Sequence, residues 1–189
     1  MRPVPNLISV ARLLTVPVLI VLAAQENRYA FGVLLVAALV SDILDGLLAR
    51  ALSLESQLGA LLDSTADALL LPVAAYGVWV FHPDIVRTYR GAFALVLLLW
   101  LGEYLVAFWR YRRLSSFHTY LARAAAYAMG IFVGGLFVFG FVPWLMWLAV
   151  VLAVCASVEE YLLLWQLPQW RSNVRGLWWV MRRATEHGQ

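Results

Sequence analysis

The sequence is poor in charge and in cysteine. Only 13% of its 189 residues are charged, all fourteen basic residues are arginine, and Cys155 is the single cysteine. So little charge excludes an ordinary soluble domain, in which about a quarter of the residues are charged. The chain is rich instead in apolar residues, with 63% of them hydrophobic and a mean hydropathy of +0.80. This composition predicts an integral membrane protein.

Apolar runs recur along the chain, each near the roughly 20 residues that a helix needs to cross a bilayer. We expect six of them to span the membrane: residues 4–24, 30–48, 58–81, 91–109, 121–141 and 143–165. The predicted fold class is all-α integral membrane, with six transmembrane helices and an interfacial C-terminal amphipathic segment. Residues 1–167 would form the membrane domain, and residues 168–189, basic and rich in Trp, an interfacial tail.

The arginines predict the orientation. With six spans, eleven arginines fall on the side of the two termini, whereas Arg28, Arg87 and Arg90 fall on the other side. Positive residues accumulate on the cytoplasmic side of membrane segments. We therefore expect a multi-pass protein of the cell (inner) membrane with both termini in the cytoplasm. Arg12 interrupts the first apolar run, which predicts a retained span rather than a cleaved signal.

Four aspartates lie within the second and third apolar runs, in the stretch SDILDGLLARALSLESQLGALLDSTAD. Asp42 and Asp45 are three positions apart, and Asp63 and Asp67 are four apart, so each pair shares one face of a helix. The short link between the runs places both pairs near the cytoplasmic surface. Ionised carboxylates at membrane depth are costly unless paired, hydrated or bound to a cation. Their oxygens suit Mg²⁺, Mn²⁺ or Ca²⁺, and four carboxylates can hold two ions about 3.5–4 Å apart.

Small residues accompany the aspartates. Gly46 and Ala49 lie approximately on the face of the first pair, and Gly59 lies one turn before Asp63. They leave room for a ligand beside the metals, although tight helix contacts of the small-xxx-small kind would explain any one of them. Arg50 is interpreted as a phosphate ligand, with an ordinary positive-inside arginine as the alternative.

The spacing Asp42-x2-Asp45-Gly46-x2-Ala49-Arg50-x8-Gly59-x3-Asp63-x3-Asp67 resembles the signature of the CDP-alcohol phosphatidyltransferase family without a departure. The resemblance implies phospholipid biosynthesis by phosphatidyl transfer from CDP-diacylglycerol to an alcohol hydroxyl, with release of CMP. It implies that Mg²⁺ or Mn²⁺ binds the four aspartates and that Asp67 is also the general base. It further implies a CDP site lined by Gly46, Ala49, Arg50 and Gly59, and a homodimer. No nucleic-acid partner is expected.

The N-terminal stretch PNLISVARLLTVPVL resembles the opening of phosphatidylglycerophosphate synthases and bacterial cardiolipin synthases of the same family. Asn6, Ser9 and Arg12 are spaced by three and would form a polar face at the cytoplasmic end of the first span. We expect this face to form part of the nucleotide or phosphate site. A helix cap at Asn6 and a snorkelling Arg12 are the alternative explanation.

We expect the residues that bind the acceptor alcohol to follow the fourth span. Many family members that use glycerophosphate carry a Lys-Thr pair there, and this chain has His118-Thr119. Glycerol 3-phosphate is the first expected acceptor, and inositol phosphate and phosphatidylglycerol stay open. The candidate acceptor ligands are Arg110, Arg113, His118, Thr119 and Arg123, with positive-inside residues as the alternative for the arginines.

Two other functional classes place carboxylates in membrane helices. An intramembrane prenyltransferase also holds Mg²⁺ and a pyrophosphate with Asp-rich motifs, but its fold needs more helices than this chain provides. A cation transporter would spread its acids through the bilayer rather than gather them at one face. Glu103, Glu159 and Glu160 lie within predicted spans and have no assigned role.

Overall fold

The structure is a computed structural model that describes residues 4–52, 57–112, 119–166, 176, 177 and 179, with side chains described for all of these except 4–10, 42–52 and 57–68. The described residues form helices and no strands, as the sequence predicts. The helices are α1 (Val4–Ala24), α2 (Arg28–Leu52), α3 (Gln57–Phe81), α4 (Pro83–Thr88), α5 (Arg90–Tyr111), α6 (Tyr120–Val138) and α7 (Pro143–Gln166).

Three of these helices, α5, α6 and α7, are long and apolar enough to cross a membrane. Within the described part of α1 to α3, shorter apolar helical stretches occupy Ala11–Ala24, Arg28–Ser41 and Leu69–Phe81. The membrane character of the fold is therefore supported by three helices of full spanning length, and six spans stay a prediction. The predicted tail, residues 168–189, falls almost wholly outside the described residues.

The chain divides into two compact units, one of Met1–Thr88 with Val133–Phe141 and one of Tyr89–Phe132 with Val142–Gln189. In the first unit, α1 packs against both α2 and α3. The turn between α1 and α2 is short because Glu26 adopts a left-handed conformation, with φ 55°. The side chain of Asn27 then caps α2, since its Oδ1 accepts a hydrogen bond from the Ala30 N–H at 3.1 Å.

The core of the first unit is partly aromatic. The fully buried ring of Phe31 lies 5.3 Å from the ring of Phe81 and 5.2 Å from that of Phe137, measured between centroids. Gly77 makes room for it, because a Cβ at that position would lie 2.1 Å from the Phe31 ring. His82, directly after α3, stacks edge-on against Phe137 at 5.4 Å. Burial and the nearby Arg28 lower the pKa of His82.

In the second unit, α5 packs against α7. Tyr161 on α7 donates a hydrogen bond to the Leu99 carbonyl on α5 at 3.1 Å, and Tyr111 on α5 donates one to the Leu164 carbonyl on α7 at 3.3 Å. Gly102 permits the first of these, because a Cβ there would lie 2.2 Å from the Tyr161 hydroxyl. The two tyrosines therefore join α5 and α7 by hydrogen bonds at two positions along the helices.

Candidate functional site

The four motif aspartates lie on two helices joined by a short link. Asp42 and Asp45 belong to α2, and Asp63 and Asp67 belong to α3, so the prediction that both pairs are helical is confirmed. Asp45 stands about 10 Å before the last residue of α2, and Asp63 about 9 Å after the first residue of α3, at 1.5 Å per residue. Helical spacing places the members of each pair on one face of their helix.

The side chains of these aspartates lie outside those that the structure describes, as do the side chains at Ala49 and Arg50. The backbone is helical at all of these positions, at Gly46 on α2 and at Gly59 on α3. Among the described side chains, no group of three or more His, Cys, Asp or Glu could hold a metal ion. The donor set fits a hard divalent cation, since each helical face offers two carboxylates and such cations prefer oxygen ligands.

Arg12 is buried within the first unit, with 2% of its surface exposed. It lies on α1, the helix that packs against both α2 and α3, which carry the aspartates. Its carbonyl accepts a hydrogen bond from the Thr15 hydroxyl at 2.6 Å. A snorkelling arginine would extend its guanidinium away from the protein interior. The burial of Arg12 contradicts that alternative and favours a role inside the unit.

Asn6 and Ser9 also lie on α1, and their side chains are outside the described ones. Because α1 begins at Val4, Asn6 falls inside the first turn of the helix. The capping residue of a helix precedes its first helical residue. The alternative explanation of Asn6 as a helix cap is therefore wrong in this structure.

Two of the predicted acceptor ligands lie at the start of α6, in the second unit. Thr119 is fully buried and caps the helix, since its Oγ1 accepts a hydrogen bond from the Ala122 N–H at 3.1 Å. Arg123 lies one turn further on and is half-buried. Its guanidinium carbon stands 5.4 Å from the centroid of the Tyr120 ring. The structure thus gives Thr119 a capping role that the sequence analysis missed.

Of the other acceptor candidates, Arg110 is the one that lies among the described residues. Arg110 is exposed near the end of α5, with its guanidinium carbon 5.7 Å from the centre of the Tyr111 ring. Arg113 and His118 lie outside the described residues. The acidic motif and Arg12 belong to the first compact unit, and Arg110, Thr119 and Arg123 belong to the second.

One polar contact was not anticipated. Oε1 of Glu159 on α7 accepts a hydrogen bond from the Leu177 N–H at 3.0 Å. Trp179 follows in the same segment, and its ring lies 5.9 Å from that of Tyr120 at the start of α6. The sequence carried two signals for this contact: an acidic residue within an apolar helix, and Gly176 in a segment otherwise rich in Trp and Arg.

Comparison with known proteins gives a family match across most of the chain. The model of the family described as CDP-alcohol phosphatidyltransferase matches residues 2–155. The matched region contains the four aspartates and the five predicted acceptor residues. No solved structure matches the chain significantly.

Several curated proteins are similar over parts of the chain. A Mycobacterium bovis protein named "Putative cardiolipin synthase" is 44% identical over 70 residues, which cover 36% of this chain and 33% of the relative. A Pseudomonas fluorescens protein named "CDP-diacylglycerol--glycerol-3-phosphate 3-phosphatidyltransferase" is 32% identical over 110 residues, covering 53% and 56%. A Rickettsia typhi protein of the same name is 38% identical over 74 residues, covering 38% and 42%. The chain thus spans between a third and just over half of the length of these relatives.

Proposed function

The chain belongs to the CDP-alcohol phosphatidyltransferase family, and on that premise we propose that it transfers a phosphatidyl group from CDP-diacylglycerol to glycerol 3-phosphate, releasing CMP. The observation that carries the proposal is the placement of both aspartate pairs on α2 and α3, the two helices that pack against α1 with its buried Arg12. The names of the Pseudomonas and Rickettsia relatives support the choice of donor and acceptor.

Asp42, Asp45, Asp63 and Asp67 are the proposed holders of Mg²⁺ or Mn²⁺, as two ions. A divalent metal bound there would neutralise the pyrophosphate and stabilise CMP as a leaving group. Arg12 and Arg50 contribute positive charge toward the donor phosphates, with Asn6 and Ser9 on the same helix as Arg12. Gly46, Ala49 and Gly59 leave space for the cytidine diphosphate between the helices.

Asp67 is the proposed general base. Its carboxylate removes the proton from the acceptor hydroxyl while the hydroxyl oxygen attacks the β-phosphorus of CDP-diacylglycerol. A new phosphorus–oxygen bond forms to the acceptor, and the bond from that phosphorus to the oxygen shared with the α-phosphate breaks. The electron pair leaves with CMP, and the product is the phosphodiester lipid.

The acceptor's phosphate is proposed to bind basic and polar residues in the segment from Arg110 to Arg123. Thr119 and Arg123 are the described members of this set that are at least partly buried, and a guanidinium suits phosphate oxygens. Arg110, Arg113 and His118 are further proposed ligands. Inositol phosphate and phosphatidylglycerol are the alternative acceptors, and the name of the Mycobacterium relative favours the second of these.

We propose that the chain spans the membrane six times, with both termini and the aspartate motif on the cytoplasmic side. Three helices of spanning length and three shorter apolar stretches support this arrangement, together with the bias of arginines to one side. A site at the cytoplasmic surface lets a water-soluble acceptor meet a lipid whose chains stay in the bilayer. The proposed assembly is a homodimer in the cell membrane, with residues 168–189 on the lipid surface.

The proposal is tested with purified protein, CDP-diacylglycerol and one acceptor at a time, in the presence of Mg²⁺ or Mn²⁺. We expect CMP and a new phospholipid with glycerol 3-phosphate, and no product after chelation of the metal. Product with phosphatidylglycerol or inositol phosphate alone would reassign the acceptor. No CMP with any acceptor would contradict phosphatidyl transfer itself.

Replacing the general base gives a sharper test. Asp67→Asn should lower the rate of transfer by about 100-fold or more, the usual contribution of a general base, while donor binding largely remains. Asp84→Asn is the matched control, because Asp84 is 93% exposed on α4 and contacts only Arg87 at 3.8 Å among the ion pairs described. Activity that survives in Asp67→Asn would show that another group takes the proton.

A further inference from the structure

Gly176, Leu177 and Trp179 follow α7 in the sequence, and a hydrogen bond joins the backbone of Leu177 to a side chain of α7. The Leu177 N–H donates to Glu159 Oε1 at 3.0 Å, and the Leu177 side chain packs against the cluster of Ala107, Leu163 and Leu164. Gly176 allows this approach: its φ is +152°, and a Cβ there would stand 2.9 Å from the same carboxylate oxygen. We call Gly176, Leu177 and Trp179 the C-terminal strap.

The strap reaches the start of α6 through Trp179. The Trp179 ring lies 5.9 Å from the Tyr120 ring, inclined at 60°. The guanidinium carbon of Arg123 stands 5.4 Å from the centroid of that tyrosine ring. Glu159 therefore connects to Arg123 through three successive contacts.

An arginine that must bind a phosphate loses side-chain rotational freedom when it does so. Holding the guanidinium in place before the ligand arrives reduces that loss and increases affinity. Tyr120 restrains Arg123, and Trp179 in turn restrains Tyr120. Of the other proposed acceptor ligands that the structure describes, Thr119 is fixed by its capping hydrogen bond and Arg110 contacts the ring of Tyr111, so the contact with Tyr120 concerns Arg123.

We propose that the C-terminal strap positions Arg123 for the phosphate of the acceptor alcohol. This rests on the proposed function and deepens it, since it selects a phosphorylated acceptor over a neutral one. Trp179 and Glu159 are positioning residues: they act through Tyr120 and Arg123 and touch no reacting atom. The strap thereby links the segment after the last membrane helix to substrate affinity.

The first test measures kinetics of the full-length protein with glycerol 3-phosphate as the acceptor. Trp179→Ala should raise the KM for glycerol 3-phosphate about three- to fivefold, the loss expected for one contact between aromatic rings. The kcat and the KM for CDP-diacylglycerol should stay as they are, and Trp179→Phe should restore most of the affinity. Trp165→Ala is the matched control, because Trp165 is 85% exposed on α7.

A double-mutant cycle tests whether the effect passes through Arg123. In an Arg123→Gln background, Trp179→Ala should add little to the KM, since there is no guanidinium left to position. Two effects that multiply in full would overturn the proposed connection. An unchanged acceptor KM in Trp179→Ala, or an equal rise in the donor KM, would overturn it as well.

The contact of the C-terminal strap with α7 can be measured without enzymatic turnover. Hydrogen–deuterium exchange should show protection of the peptide that contains Leu177, lost in Glu159→Ala and kept in Glu159→Gln, whose amide oxygen still accepts the hydrogen bond. Equilibrium dialysis with glycerol 3-phosphate should show weaker binding in Glu159→Ala and in Trp179→Ala. An unprotected strap in the wild-type protein would overturn the inference. A wild-type protein that binds glycerol 3-phosphate more tightly than these two variants do but releases no CMP would contradict the proposed function and leave the strap supported.

Discussion

At the scale of single residues, Arg12 is a buried charge on α1, the helix that packs against the two helices that carry the aspartates. A guanidinium that is 2% exposed needs acceptors for its hydrogen bonds, because burying an uncompensated charge is costly. The motif carboxylates and the donor phosphates are the anionic groups proposed for this part of the fold. We expect Arg12 to serve both, by stabilising the carboxylates before the donor binds and then by binding the donor phosphates.

This role predicts a large effect from a conservative change. Arg12→Lys should lower kcat/KM for CDP-diacylglycerol by about tenfold or more, because an ammonium group lacks the planar fork that contacts two oxygens at once. Arg87→Lys, at an arginine 81% exposed on α4, should leave the value unchanged. Equal kinetics in the two variants would remove Arg12 from the site.

His82 makes the stability of the first unit depend on pH. Burial, and to a smaller extent Arg28, lower its pKa from 6.5 in the folded protein, so the unfolded chain takes up the proton first as the pH falls. The stabilisation is complete above the unfolded pKa and is lost as the pH falls through the folded one. The thermal unfolding midpoint in detergent should therefore decrease between pH 7 and pH 5.

His82→Gln should make this decrease smaller, because glutamine does not titrate. Arg28→Gln should reduce it only in part, since burial is the larger cause of the shift. A pH dependence identical in all three proteins would assign the acid sensitivity to other groups.

At the scale of elements, α2 and α3 of the first unit meet where the Phe31 ring occupies the space beside Gly77. Gly77→Ala should lower the stability by about 1–3 kcal/mol, the usual cost of overpacking, because the added methyl group would enter that ring. Gly91→Ala on α5 meets nothing within 4 Å and should change stability by less than about 1 kcal/mol. Thermal unfolding of both variants in the same detergent gives the comparison.

The helices themselves could be predicted from hydrophobicity. The run at 4–24 became Val4–Ala24, and the run at 143–165 became Pro143–Gln166. The run at 121–141 ends early, at Val138, because Gly140 takes φ +90° and turns the chain. The short α4 was not predicted, since six residues that include Asp84 and Arg87 carry no apolar period.

The helical placement of each aspartate pair could be predicted because the spacing is local: three or four positions on one helix determine which side chains share a face. The capping role of Thr119 was missed because His118-Thr119 was interpreted as a substrate motif. The contact of Glu159 with Leu177 joins residues 18 positions apart. The sequence marks the two ends of this contact, with an acidic residue in an apolar helix and with Gly176, but it does not pair them, because the pairing depends on tertiary packing.

At the scale of the whole molecule, the proposed orientation can be measured directly. In a Cys155→Ser background, Asp84→Cys should react with a membrane-impermeant maleimide in intact cells, because α4 lies on the outer side in a six-span topology. Arg112→Cys, at an exposed position directly after α5, should react only after the cells are permeabilised. The reverse pattern would place the aspartate motif on the outer face.

The placement of the four aspartates also bears on how the chain enters the membrane during synthesis. Although α7 carries Glu159 and Glu160, the later helices α5 to α7 are each long and apolar enough to span a membrane, so each can leave the translocon by itself. The four aspartates on α2 and α3 raise the cost of inserting either helix alone. We therefore expect α1 to α3 to enter lipid as a preassembled group, with the four aspartates already shielded from the hydrocarbon by neighbouring helices.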